Sequence, residues 1–281
     1  MKTYFRIMLC ALTMGLTSCE DVIDVELQKA PERLTVEASI DWEKGSSGSD
    51  QLIKLSKSSA YFDTSTNTSV SGASVMIRNN TNNAEFIFVD QNNGTYTTTG
   101  FVPILGQSYT LEIIYDGEVY TATETMVPVT DIIEVTQSTE NGFNEDDIEI
   151  NLVFQDPAEE ENYYLFKFQE EGDLLPFLED GDDEFINGNE IDWWYEKEED
   201  DDTDEIEALV PGDVVFIDFY AISESYHNYI RILIEQNEGA GLFSATPVAL
   251  KGNCLNTTNV ENYAHGYFRL SQVVRTSYTV Q

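Results

Sequence analysis

Catalytic chemistry has few side chains to work with in this chain. There are two histidines, His227 and His265, against fifty-two carboxylates. A serine or cysteine nucleophile usually needs a histidine base. Tyr226-His227-Asn228 lies in a helical pattern, which puts His227 on the polar side of that helix, and His265 precedes a strand-like Gly-Tyr-Phe. No glycine-rich phosphate loop, Gly-x-Ser-x-Gly elbow or His-Glu-x-x-His pair is present. A carboxylate pair could serve glycoside hydrolysis, but so many acids make any single pair uninformative. The sequence therefore points away from an enzyme.

Two other groups could do binding chemistry. Asp180, Asp182, Asp183 and Glu184 gather hard oxygens suited to calcium. They do not form an EF-hand: a loop begun at Asp180 needs glycine sixth and a carboxylate twelfth, and Phe185 and Ile191 stand there. The expectation is an irregular calcium loop, set against a merely solvated acidic one. Trp193-Trp194-Tyr195 sits in the same acidic stretch. Its aromatic rings suit a partner-binding anchor, or one tryptophan packs inward and pins the loop.

Cysteine chemistry is confined to one end. Residues 1–18 carry Lys2 and Arg6, then an apolar run from Ile7 to Leu16 of about ten residues, the length of a signal-peptide core and too short to span a bilayer. Leu16-Thr17-Ser18-Cys19 resembles the lipobox of bacterial lipoproteins, so residues 1–18 are expected to be a cleaved signal peptide and Cys19 the lipidated residue. Glu20, Asp21, Asp24 and Glu26 make residues 19–30 an acidic tether, similar to the signal that sends lipoproteins to the outer cell surface. Cys254 is then left without a partner and reads as a small buried side chain.

The elements that position these groups are β-strands. Leu34, Val36, Ala38 and Ile40 alternate with polar residues, as do Tyr109, Leu111, Ile113 and Tyr115. Asp116-Gly117 then turns the chain into Val119, Thr121 and Thr123, a hairpin signal. Residues 31–128 thus predict an immunoglobulin-like β-sandwich. Residues 129–281 predict a second β-domain, with strands over 132–135, 148–154, 163–168 and 214–222 and further strands near the end. It carries one helix near 223–238, capped by Ser223, with Tyr226, Tyr229, Ile230, Leu233 and Ile234 on one face. Its acidic insertion, 170–207, holds nineteen carboxylates and a single basic residue, Lys197. There, 174–178 and 191–195 are apolar enough to dock, and 196–205 reads as a mobile tip. The fold class is all-β with one helix. A net charge of −38 excludes nucleic acid as a partner and favours cations or basic surfaces.

Several segments, in order, carry a family resemblance: Cys19 to Asp24, Ser56 to Phe62, Val70 to Val75, Asn93 to Tyr96 and Gly106 to Leu111. Asp156 to Tyr164, Asp182 to Gly188, Pro211 to Asp213, Tyr226 to Tyr229 and Gly266 to Phe268 follow in the second half. Together they resemble the lipoproteins of domain-of-unknown-function family 4249 over the whole mature chain. The resemblance implies a Bacteroidota outer-membrane surface lipoprotein that accompanies TonB-dependent receptors, as an accessory or substrate-capture subunit, with no activity or cofactor to carry over. A structural subunit of an outer-membrane assembly or secretion complex is the alternative, and a surface hydrolase the weaker one. A capture protein predicts an aromatic-lined pocket, a scaffold predicts flat apolar patches, and a hydrolase predicts a buried carboxylate pair in a cleft.

Overall fold

The computed structural model describes residues 31–59, 67–142, 144, 146–197, 208–238 and 249–281. The expected signal peptide, Cys19 and the tether lie outside these residues, as does most of the expected mobile tip. Glu32–Gln281 forms one compact unit. Among the described residues it is mostly β, with one helix and large sheets.

In the first half, β1 (Leu34–Glu43), β2 (Gln51–Lys57) and β5 (Thr95–Thr98) run side by side. Facing strands are β3 (Ser74–Asn79), β6 (Ser108–Tyr115) and β7 (Glu118–Thr125), with the short β14 (Leu255–Asn256) at the edge. The two sets are joined by β4 (Glu85–Asp90), which pairs with β3 through residues 85–88 and with β5 through Val89 and Asp90. The alternating residues read from the sequence turn inward: Val36, Ala38 and Ile40 meet Val75, Ile77, Tyr109, Leu111 and Ile113 in one core. Burying each such side chain contributes about 1.5–3 kcal/mol. Asp116 and Gly117 both take positive φ, the requirement of a tight two-residue hairpin.

The second half is built on β10 (Tyr163–Glu170), β11 (Phe177–Asp182) and β13 (Val214–Ile222), ordered β11-β10-β13. One face is covered by a three-stranded sheet of β8 (Ile132–Ser138), β9 (Glu149–Gln155) and β12 (Glu190–Glu196). Between them lies a core rich in aromatic rings, in which Phe154, Phe166, Phe168 and Phe219 are fully buried. The other face is covered by α1 (Glu224–Glu238) through Tyr226 and Ile230. Ser223 caps α1, its Oγ accepting the Tyr226 N–H at 3.2 Å. Leu233, expected on the buried face, is largely exposed.

The last strand, β15 (His265–Thr279), belongs to both halves. Residues 265–273 pair in parallel with β1, and residues 273–279 pair antiparallel with β13. Phe268 and Leu270 enter the first core, while Val274 and Tyr278 pack on the second. Gly266 makes this approach possible. Its φ is +87°, and a Cβ there would come within 2.0 Å of the Val36 carbonyl oxygen. The sequence showed two strand-like segments at this end, and the chain makes them one strand.

Inside the acidic insertion the chain forms strands β11 and β12. Of the apolar residues expected to dock, Ile191, Trp193 and Tyr195 do. Leu174 and Leu175 do not: they stand 92% and 75% exposed at the tip between β10 and β11.

Candidate functional site

The expected calcium group is divided among different partners. Asp180 lies on the face of β11 that meets α1, and its Oδ2 accepts from His227 Nε2 at 2.8 Å. That corrects the placement of His227: it faces the sheet, buried, with its ring 5.0 Å from that of Tyr163. Asp182 Oδ1 accepts the N–H of Glu184 at 3.2 Å in the following turn, and Glu184 is exposed. Asp183 is the most deeply buried of the four, and there it meets Asp156, which the sequence reading had not singled out. The two are 1% and 2% exposed. The tyrosine hydroxyl of Tyr164 donates to Asp156 Oδ1, and the Gly188 N–H donates to Oδ2 at 2.7 Å. Burial, and then the Asp156 charge, push the Asp183 carboxyl upward. Aspartates ending a strand before Pro157 and sitting in a Gly-containing turn were the available signal. They lie too far apart in sequence to be read as a pair.

Two loops make this geometry: 156–162, leaving β9, and 183–189, leaving β11. Gly188 lets them close, with φ +76° and the Ala158 Cβ only 2.6 Å from where its own Cβ would be. The first loop also lines an open cleft of about 390 Å³ between the halves, together with Thr125 to Pro128 and the start of α1. Glu160, Glu161 and Glu224 make its wall acidic, and Tyr163 is its one aromatic ring.

The aromatic triplet is set by alternation along β12. Trp193 stacks on Phe166 at 4.4 Å, and its Nε1 donates to Glu179 at 2.9 Å. Tyr195 stacks on Phe168 at 4.4 Å and is 4% exposed, a core residue and no surface anchor. Trp194 points to the opposite face and is half-buried. Cys254 is buried as expected, and desolvation pushes its thiol up to about 12. His265 is half-buried, its Nδ1 3.4 Å from the Leu250 carbonyl.

One further cluster gathers three of the chain's few basic residues. Arg269, fully buried, pairs with Asp41, and its guanidinium lies 4.5 Å from the Tyr220 ring and 5.0 Å from Tyr226. Lys167 caps the Tyr220 ring at 4.8 Å, and Arg275 pairs with Glu43 at 3.1 Å and Asp218 at 3.4 Å. These contacts tie β1, β13 and β15 together beneath α1.

Paired β-layers in each half, one strand common to both and a single covering helix define a β-sandwich-like protein with an acidic seam. The chain belongs to the family described as Domain of unknown function (DUF4249), whose model matches residues 20–277. No curated protein matches it. Two solved structures named "Cytokine receptor complex", crystal forms 1A and 2, are similar at 12% identity. They cover 69% of this chain and 86% and 92% of their own, with TM-scores of 0.26 and 0.27.

Proposed function

We propose that the protein is a surface lipoprotein, anchored through Cys19 to the outer membrane, that serves as a non-enzymatic accessory to a TonB-dependent β-barrel transporter. The lipobox supports the anchor, and the family match opens at residue 20, directly behind Cys19. The observation that carries a binding role is what the surface offers. His227 and Asp183 are buried, whereas Leu174, Leu175 and Phe177 stand exposed among Glu170, Glu171 and Asp173. An apolar tip rimmed by carboxylates suits docking to a partner with an apolar, basic-rimmed recess. The cleft, with one aromatic ring among carboxylates, is a weaker candidate for capturing a neutral sugar.

The exposed tip equally favours the second reading, a structural subunit of an outer-membrane assembly or secretion complex. Affinity purification of the lipidated protein from detergent-solubilised outer membrane separates them. The expected result is a stoichiometric TonB-dependent barrel that is lost from the Leu174→Asp, Leu175→Asp double variant. Recovery of assembly or secretion machinery in its place would transfer the role to that complex. No barrel and no machinery would remove both readings.

A further inference from the structure

Asp156 and Asp183 stand within hydrogen-bonding reach of each other. Asp156 has its two donors, Tyr164 and Gly188. Asp183 completes no hydrogen bond of normal geometry: both carboxylate oxygens are sealed from solvent, with only the Asn162 main chain and its own amide beside them and Asp156. An uncompensated buried carboxylate costs several kcal/mol, so this position calls for a positive occupant. The Asn162 carbonyl lies beside Asp183, accepting its N–H at 3.3 Å. The carbonyls of Pro157 and Glu160 turn toward the Asn162 amide at 3.0 and 3.2 Å.

We propose that Asp156 and Asp183 hold a calcium ion that clips the 156–162 loop to the 183–189 loop. Oxygen-only donors suit calcium and not zinc or copper. Among the described residues no three histidine, cysteine or carboxylate side chains converge. The remaining ligands must then be main-chain oxygens and water, which places the affinity in the weak range of extracellular modules, about 0.1–1 mM. Glu160, Glu161 and Asn162 line the neighbouring cleft, so the ion's approach runs past a carboxylate wall that concentrates cations. The site differs from the sequence-read group, since Asp180 is committed to His227 and Asp182 to its own turn. It is independent of which complex the protein joins.

The test is calorimetric titration of the mature chain with calcium chloride, with thermal melts in parallel. The expected result is one ion per chain at submillimolar to millimolar affinity and a higher melting temperature. Asp183→Asn is expected to weaken binding at least tenfold and abolish the thermal shift. No heat and no shift in the wild-type protein would overturn the proposal and leave the two carboxylates sharing a proton. Binding unchanged in both Asp183→Asn and Asp156→Asn would also overturn it, assigning calcium to the acidic surface. Should these variants not fold, terbium provides the readout. Tyr164 touches Asp156, so calcium-competable luminescence excited through tyrosine should fall in Tyr164→Phe, and unchanged luminescence refutes the site.

Discussion

Glu149 illustrates how single residues are used here. It opens β9 at 0% exposure, and its carboxylate accepts from the Ser138 hydroxyl, from the Glu140 N–H at 3.2 Å and from the Asn141 N–H at 3.0 Å. Burial by itself would raise its pKa, but these donors outweigh it and hold the carboxyl below its usual 4.5. The sign follows directly. A depressed folded-state value adds stability that is complete above 4.5 and is lost as pH falls through the lower folded value. Glu149→Gln should therefore cost about 1–3 kcal/mol at neutral pH, because an amide nitrogen replaces an acceptor facing buried N–H groups. The loss should shrink in melts taken below pH 4.5. A cost that does not change with pH would mean packing, and not charge, holds this position.

At the scale of elements, much was legible because its causes are local. Alternation placed β1 and β6, the Asp116-Gly117 pair fixed a hairpin, and Ser223 marked the start of α1. Non-local pairing was not legible. Nothing within residues 265–280 signals that this strand finds β1, since Thr35 and His265 are adjacent only in space. The same limit hid Asp156 from Asp183, and hid the sheet side of α1 that buries His227 against Asp180. β11 and β12 were obscured differently, because their carboxylate content masks a strand pattern that ring stacking on Phe166 and Phe168 enforces. Gly266 offers a direct check of the long-range pairing. Gly266→Ala puts a side chain onto the Val36 carbonyl at a φ that alanine disfavours, and should lower stability by about 2 kcal/mol or more. Circular dichroism melts would show it, and a melting temperature equal to wild type would mean that β1 and β15 separate freely.

Across the whole molecule the charge is one-sided. Fourteen basic residues face fifty-two acidic ones, and several of the cations are drawn under α1 around Tyr220. The exposed carboxylates are left to repel one another, more strongly in dilute salt, where screening extends about 30 Å at 0.01 M and about 8 Å at 0.15 M. Sodium chloride should thus raise the melting temperature between these two concentrations. An unchanged value would mean the acids lie too far apart to strain the fold.

The shared strand also sets an order of events in time. β1 is made long before its parallel neighbour, for Thr35 waits for His265. Neither core is closed until residues 265–279 arrive, because Phe268 and Leu270 finish one and Val274 and Tyr278 finish the other. Contacts this distant in sequence slow folding. Losing that one strand would therefore open both cores at once, so the two halves share a single point of closure.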